Sequence, residues 1–254
     1  NPTQLNDLGR KLFINLAPLV PDKVLAAMER ALDERNAADF VLRQQYSLNG
    51  WSTLLRHLAY QPQSFERAAQ LLLTLAEHEQ SNAVDCQLAW KEMFRIGLSG
   101  TLAPPEQRIG LLERLLVTST GKRRELTWAA VEGMLAAHHI SSSHDFSFGA
   151  RSHGFGWEPS SDADIVAWFE SAFVLIRRMA AQGTDGLKAA RQGIAAHFRE
   201  VWACGVENQL TTLMLELAGT DGWPAGWLAT RSTLRFDSDE MSPKWLKALQ
   251  ELDA

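Results

Sequence analysis

The sequence predicts an all-α protein, and three observations carry this prediction. The composition is rich in Leu, Ala, Glu, Gln and Arg, which favour helix, whereas Val, Ile and Tyr are scarce. Apolar residues recur at the i, i+3, i+4 spacing of an amphipathic helix, and no convincing strand-like alternation interrupts them. These helical segments also repeat at a nearly constant interval along the chain.

The individual helices can be predicted from their apolar stripes and their ends. Pro21 is suited to the first position of a helix, and residues 161–164 resemble a capping box with Asp in place of Glu. A further helix is predicted to begin at Ser242-Pro243 and to run to Leu252. The clearest apolar stripes span residues 51–58, 65–76, 90–98, 109–116 and 165–179.

The repeat interval indicates an architecture. Trp51, Trp90, Trp128 and Trp168 are separated by 39, 38 and 40 residues. Residues 65–73 align with residues 105–113 at an offset of 40. A period of about 40 residues with two helices in each unit is typical of HEAT repeats, whose helix pairs bury their apolar faces by stacking. We therefore predict an α-solenoid of HEAT-like helix pairs, with a compact helical bundle as the alternative.

Two regions interrupt this pattern. Residues 138–159 are rich in Ser, Gly and aromatic residues, and residues 219–241 contain Trp223-Pro224 and Gly226-Trp227. We predict one helical-repeat domain over residues 1–254, with an inserted loop at 138–159 and an irregular closing segment at 219–241. Because the chain starts without Met and without a signal peptide, we expect it to be part of a larger protein.

Charge and cysteine content limit the possible partners and compartment. The net charge of −5 does not favour nucleic-acid binding, and no uninterrupted apolar stretch is long enough for a transmembrane helix. Two cysteines exclude a disulfide scaffold and suit a reducing compartment. We predict a cytoplasmic protein that binds neither nucleic acid nor membranes.

The sequence does not contain the common catalytic motifs. Gly121-Lys122 lacks the flanking residues of a P-loop, and the G-x-S-x-G motif of hydrolases is absent. Cys204 lies in an apolar helical stretch, where a buried, unreactive thiol is expected, and Cys86 is similar. We predict a protein without enzymatic activity, catalytic residues or cofactors.

Histidine clustering suggests an alternative. Four of the seven histidines lie within sixteen residues, with Asp145 among them. Imidazole binds transition metals, but no pair has the i, i+4 spacing of a helical zinc site. We predict no metal site and keep open a hydrolase or metal-binding function of residues 138–153. The four histidines are His138, His139, His144 and His153.

The same loop has the composition of a binding surface, because Arg and aromatic residues dominate binding energies at interfaces. The alternative is that its aromatic residues fill a gap between repeats. The candidate partner-binding residues are His144, Phe146, Phe148, Arg151, His153, Phe155 and Trp157.

Two stretches resemble a known family. These are residues 98–108, LSGTLAPPEQR, and residues 138–152 followed by 156–159, HHISSSHDFSFGARS and GWEP. They resemble the helical region of large bacterial STAND-type NTPases, which combine an effector, a nucleotide-binding module and a helical-repeat sensor. The resemblance implies a sensor module whose ATPase lies elsewhere in the parent protein, and a role in defence against phage.

These observations predict a non-enzymatic interaction module. Its partner would be another protein or another module of the parent chain, bound by the concave repeat face and the 138–159 loop. A structural spacer that separates modules is the remaining alternative.

Overall fold

The computed structural model describes residues 2–80, 85–137, 147–149, 151–219, 222–237 and 247. These residues form twelve α-helices, which confirms the all-α prediction. The helices are α1 (Asp7–Leu16), α2 (Pro21–Ala31), α3 (Ala37–Arg43), α4 (Leu48–Leu58), α5 (Pro62–His78), α6 (Asp85–Glu92), α7 (Pro105–Thr118), α8 (Gly121–Gly133), α9 (Asp162–Ala180), α10 (Gly183–Trp202), α11 (Glu207–Ala218) and α12 (Pro224–Asp237). Short 3-10 helices span Pro2–Gln4, Ala17–Leu19 and Gln45–Ser47.

The inserted loop contains the strands of the described chain. β1 (Ser147–Phe148) and β2 (Arg151–Ser152) form an antiparallel pair in which Phe148 is opposite Arg151. The described part of residues 138–159 contains no helix, as the sequence predicts. The chain predicted as a single domain divides into two compact units, unit 1 with residues 1–130 and 141–158 and unit 2 with residues 131–140 and 159–254.

Unit 1 is organised around α5. This helix packs against α2, α3, α4, α6 and α7, and Phe65, Leu72 and Leu75 are fully buried on it. Burial of each such side chain stabilises the folded state by about 1.5–3 kcal/mol. Five polar residues of α5 line the groove described below, namely Arg67, Gln70, Thr74, Glu77 and His78. This helix therefore supplies both the core of unit 1 and one wall of the groove described below.

The repeated tryptophans lie in helices, and three of them are almost completely buried. Each of these three indoles is also anchored by its N–H group. Trp51 donates to Gln44 Oε1 (3.2 Å) and Trp90 donates to the Leu126 carbonyl (2.9 Å). In unit 2, Trp168 donates to the Met134 carbonyl (2.9 Å). Burial of the ring is thus combined with a satisfied polar group.

The second repeat marker lies in helices α5 and α7. These helices begin at Pro62 and Pro105, which are 43 residues apart, and end at His78 and Thr118, which are 40 residues apart. Arg108, near the start of α7, is fully buried. The stacking of such helices into a HEAT-like solenoid remains a prediction.

Unit 2 is organised around α10, which packs against α9, α11 and α12. Arg191 of α10 donates to the Leu217 and Ala218 carbonyls (2.8 and 2.9 Å), which satisfies the C-terminal end of α11. The N-terminus of α9 is capped as predicted, since the Asp164 N–H donates to Ser161 Oγ. The Asp164 carboxylate also accepts from the backbone N–H (2.9 Å) and the hydroxyl (2.7 Å) of Ser160.

The prediction that residues 219–241 form an irregular closing segment is wrong for most of this range. Residues Pro224–Asp237 form α12, and Pro224 occupies its first turn, where a proline is favourable. Three of the large apolar residues of α12, Trp227, Leu228 and Phe236, are exposed, so the sequence shows no clear apolar stripe that predicts a buried helix face. The helix predicted from Ser242 to Leu252 lies outside the described residues except for Lys247, which is helical.

Candidate functional site

The inserted loop packs against the rest of unit 1 through stacked aromatic rings. We name residues 147–149 and 151–158 the strap. The Phe148 ring lies parallel to the His57 ring at 5.0 Å, and the His153 ring lies parallel to the Tyr60 ring at 3.8 Å. The Gly154 N–H donates to the Tyr60 hydroxyl (3.0 Å). Because His57 and Tyr60 lie at the C-terminal end of α4, the strap is held against that end.

Gly156 brings the strap into backbone contact with the loop before α7. The Gly100 N–H donates to the Phe155 carbonyl (2.9 Å), and the Trp157 N–H donates to the Thr101 carbonyl (2.7 Å). Gly156 has φ of 104°, and a Cβ there would lie 2.6 Å from both the N and the O of Thr101. This position therefore requires glycine for its conformation and for the close approach of the two backbones.

A buried ion pair lies beside this contact. Arg56 of α4 and Glu92 of α6 are joined at 2.6 Å, and both side chains are almost completely buried. Arg56 also donates to the Ser99 carbonyl (3.2 Å), and Glu92 accepts from Arg95 at 3.1 Å. Burial lowers the pKa of Arg56, and the nearby Glu92 opposes this shift. The pair connects α4, α6 and the loop that contacts the strap.

Arg108 is a second buried cation in the same region. It donates to the main-chain carbonyls of Met93 (3.2 Å) and Arg95 (2.9 Å), and its guanidinium lies 5.5 Å from the Trp157 ring. Desolvation lowers the pKa of Arg108 to about 9. This arginine holds the loop that follows α6 and supports the indole of the strap by a cation–π contact.

The two stretches that resemble STAND-type NTPases are therefore in contact within unit 1. Residues 98–108 supply Gly100, Thr101 and Arg108, and the strap supplies Gly156 and Trp157. The buried arginines are engaged with carbonyl groups, a carboxylate and an aromatic ring, which are contacts that fix the chain. Among the described residues, these contacts join α4, α6, the loop before α7 and the strap.

The structure places the predicted partner-binding residues in different environments. Phe148 is buried against His57, and His153 and Trp157 are half-buried. Phe155 is 55% exposed, which makes it the most exposed of the candidate side chains that the structure describes. The backbone of Arg151 lies in β2, and His144 and Phe146 lie outside the described residues.

The histidines of the loop do not form a metal site in the described part of the chain. In the described ranges there is no group of three or more His, Cys, Asp or Glu side chains with the spacing to hold a metal ion. His138, His139, His144 and Asp145 lie outside the described residues, so the metal-binding and hydrolase alternatives remain predictions.

The two thiols are poor nucleophiles. Cys86 is fully buried, and burial together with the nearby Glu79 carboxylate raises the pKa of its thiol well above the ordinary value. Burial also raises the pKa of Cys204 to about 11. Because the thiolate is the reactive form, neither cysteine is activated at neutral pH.

A groove in unit 1 was not predicted from the sequence. It has a volume of about 680 Å³ and lies between α2, α5, the start of α3 and Arg123 of α8. Buried Leu32, Ala37 and Leu71 contribute its apolar surface. Its polar lining consists of Glu29, Asp33, Glu34, Arg67, Gln70, Thr74, Glu77, His78 and Arg123.

The two arginines of the groove are held by carboxylates. Arg67 makes two hydrogen bonds to Glu29 (2.7 and 3.0 Å), which lower the pKa of Glu29 and raise that of Arg67. Arg123 binds Glu77 (2.9 Å) and Thr74 (3.0 Å).

The unbalanced charge of the groove is negative. Glu29 and Glu77 are paired with the two arginines, which leaves Asp33 and Glu34 as exposed carboxylates on its rim. Asp33 is fixed by the backbone N–H groups of Arg35 (3.1 Å) and Asn36 (2.9 Å), which donate to its Oδ1 atom. The sequence signal for this groove is weak because charged residues on helices usually face solvent.

Comparison with known proteins identifies no matching family model, no matching curated protein and no matching solved structure. The resemblance to STAND-type NTPases therefore remains a prediction from the sequence. Within the described residues, no helix is both long and apolar enough to cross a membrane.

We expect Gly156→Ala to destabilise unit 1 by at least about 1–3 kcal/mol, because alanine there is strained and its Cβ meets the Thr101 backbone. Gly154→Ala is the matched control, since a Cβ at that position would lie 3.7 Å from the Tyr60 hydroxyl, an ordinary contact. Urea denaturation followed by tryptophan fluorescence measures both variants. Equal stability of the two would contradict the proposed backbone contact.

We expect Glu92→Gln to lower the free energy of unfolding by about 3–5 kcal/mol, because it leaves the Arg56 cation buried without its carboxylate. Glu66→Gln is the control. It removes the partner of Arg114 from an exposed ion pair of the same length (2.6 Å), and such pairs contribute about 0–1 kcal/mol. A similar loss in both variants, measured by urea denaturation, is the result that rules out a special role for the buried pair.

Proposed function

We propose that this protein is a non-enzymatic protein-interaction module whose groove binds an extended, basic segment of a partner protein. The observation that carries this proposal is the groove between α2, α5 and α8, with two carboxylates on its rim that no arginine of the lining neutralises. The groove volume falls within the range of about 300–1,000 Å³ that ligand-binding sites occupy.

The groove supports binding without prior rearrangement. Arg67 and Arg123 already have fixed partners, so a ligand does not have to order these long side chains. Lysine or arginine side chains of a partner can pair with Asp33 and Glu34 while apolar side chains contact Leu32 and Leu71. A mainly acidic segment would instead meet uncompensated negative charge, so electrostatics favour a basic partner.

The finer proposal is that the chain is the helical sensor region of a bacterial STAND-like NTPase that acts in the cytoplasm in defence against phage. It is supported by the resemblance of residues 98–108 and 138–159 to that family. The contact between these stretches through Gly100, Thr101 and Trp157 agrees with their acting as one structural element. Binding in the groove would then shift the parent protein between two states.

The groove can be tested with random peptides of about a dozen residues, displayed on phage and selected against the immobilised full chain. We expect enrichment of peptides rich in Lys and Arg. For the enriched peptides, Asp33→Asn combined with Glu34→Gln should weaken binding about tenfold in fluorescence polarisation, because it removes the two unbalanced carboxylates.

The matched control combines Glu106→Gln with Glu125→Gln, which makes the same change in net charge at two exposed residues outside the groove. Peptide binding should remain within about twofold of that of the unaltered chain. Enrichment of acidic peptides, or an equal loss in the control, would overturn the groove as the binding site. Selection of no peptide at all would favour the structural spacer.

The sensor proposal is tested by the complete coding sequence that contains these 254 residues. We expect the complete polypeptide to contain a P-loop nucleotide-binding module, because a STAND-type NTPase needs one and these 254 residues contain no P-loop motif. A complete polypeptide without that module would contradict the STAND assignment and leave the groove proposal intact.

A further inference from the structure

One titratable side chain of the groove takes no part in its ion pairs. His78 is the last residue of α5, it is half-buried, and it lines the groove together with Glu77 and Arg123. Glu77 is paired with Arg123, whereas no hydrogen bond or ion pair engages the His78 imidazole within the described residues. A positive charge that this imidazole acquires is therefore not cancelled by a fixed partner in the protein.

Histidine is the side chain whose charge ordinarily changes near neutral pH. An imidazole typically gains a proton between about pH 8 and pH 5, whereas Asp and Glu carboxylates typically keep their charge over most of this range and arginine stays protonated. The described lining of the groove contains one imidazole among carboxylates and guanidinium groups. Acidification over this range therefore adds positive charge to the groove.

The lining shows how large this change is. With a neutral imidazole, four carboxylates face two guanidinium groups, so the net charge of the lining is −2, and protonation of His78 changes it to −1. Of the other helices that pack against α5, α3 contributes only the apolar Ala37 to the described lining, and α4, α6 and α7 contribute nothing. One proton thus removes half of the charge that attracts a basic ligand. The charged residues that line the groove with His78 are Glu29, Asp33, Glu34, Arg67, Glu77 and Arg123.

We propose that protonation of His78 regulates the groove, so that the basic segment of a partner binds at neutral pH and binds more weakly on acidification. This inference rests on the proposed function of the groove and adds its regulation. A protonated imidazole repels the Lys and Arg side chains that Asp33 and Glu34 attract. Because solvent partly screens a half-buried charge, the expected effect is moderate, about fourfold in affinity.

The neighbouring Glu79 is the alternative source of a pH effect. It is buried, and burial raises the pKa of its carboxyl group. Its two oxygens accept from the backbone N–H groups of Cys86 (3.1 Å) and Gln87 (3.2 Å), so the carboxylate is engaged at the start of α6 and does not line the groove. Asp85, at the same helix start, is exposed and is also outside the lining. His78 is therefore the group that is placed to act on a ligand directly.

The test uses the full chain and a fluorescent peptide of about a dozen residues in which Lys and Leu alternate. Its affinity is measured by fluorescence polarisation at about pH 8 and about pH 5.5, at one ionic strength. We expect the unaltered chain to bind this peptide about fourfold more weakly at the lower pH. Asp33→Asn combined with Glu34→Gln should weaken binding at both pH values, which shows that the peptide occupies the groove.

Matched variants assign the pH effect to one side chain. His78→Gln, which cannot take up a proton in this range, should bind the peptide equally at both pH values, within about 1.5-fold. His78→Lys, which is positively charged at both, should bind at the higher pH about as weakly as the unaltered chain binds at the lower pH. The control is His197→Gln. His197 of α10 is also half-buried but does not line the groove, so this variant should keep the pH dependence of the unaltered chain.

The possible failures separate this inference from the proposed function. Equal affinity of the unaltered chain at both pH values, or tighter binding at the lower pH, would refute the regulation and leave the groove proposal intact. A pH dependence that persists in His78→Gln would also refute it, because the effect would then belong to another group such as Glu79. If the peptide does not bind at either pH, or if Asp33→Asn combined with Glu34→Gln does not weaken its binding, the groove proposal itself fails and this inference fails with it.

Discussion

The Arg56–Glu92 ion pair is the constraint on which the architecture around the strap depends. Its two charges lie out of contact with water, where each would be costly alone, so they stabilise the fold only as a pair with further hydrogen bonds. The Ser99 carbonyl and the Arg95 guanidinium provide those bonds. Satisfying the pair therefore fixes the path of the chain after α6, and that path presents Gly100 and Thr101 to the strap.

Arginine serves different purposes in the two units. In unit 1, Arg108 near the start of α7 is fully buried and donates hydrogen bonds to two main-chain carbonyl groups. In unit 2, Arg231 and Arg235 remain at the surface beside aromatic rings. The same side chain thus supports loops where it is buried and provides a charged, oriented surface where it is exposed.

The sequence predicted those parts of the fold that depend on burial of regularly spaced apolar residues. Trp51, Trp90 and Trp168 lie in helices and are buried because their stripes match the helical period. The same reasoning failed for α12, in which the buried residues are Gly226, Thr230 and Thr233. It also missed the groove, because the partners of Arg67 and Arg123 are distant in sequence, on α2 and at the end of α5. The contact at Gly156 depends on two loops meeting, which no local pattern encodes.

The ion pairs of the two groove arginines influence which ligands the groove can bind. The Nε and Nη2 groups of Arg67 already donate to Glu29, and its Nη1 group lies 3.5 Å from the Asp22 carboxylate. A carboxylate that enters therefore finds each nitrogen of this guanidinium beside a carboxylate of the protein. It would have to exchange with Glu29 and release a carboxylate into the same confined space. Discrimination in the groove would thus arise from competition with the protein's own side chains, and not from the number of contacts that a ligand can make.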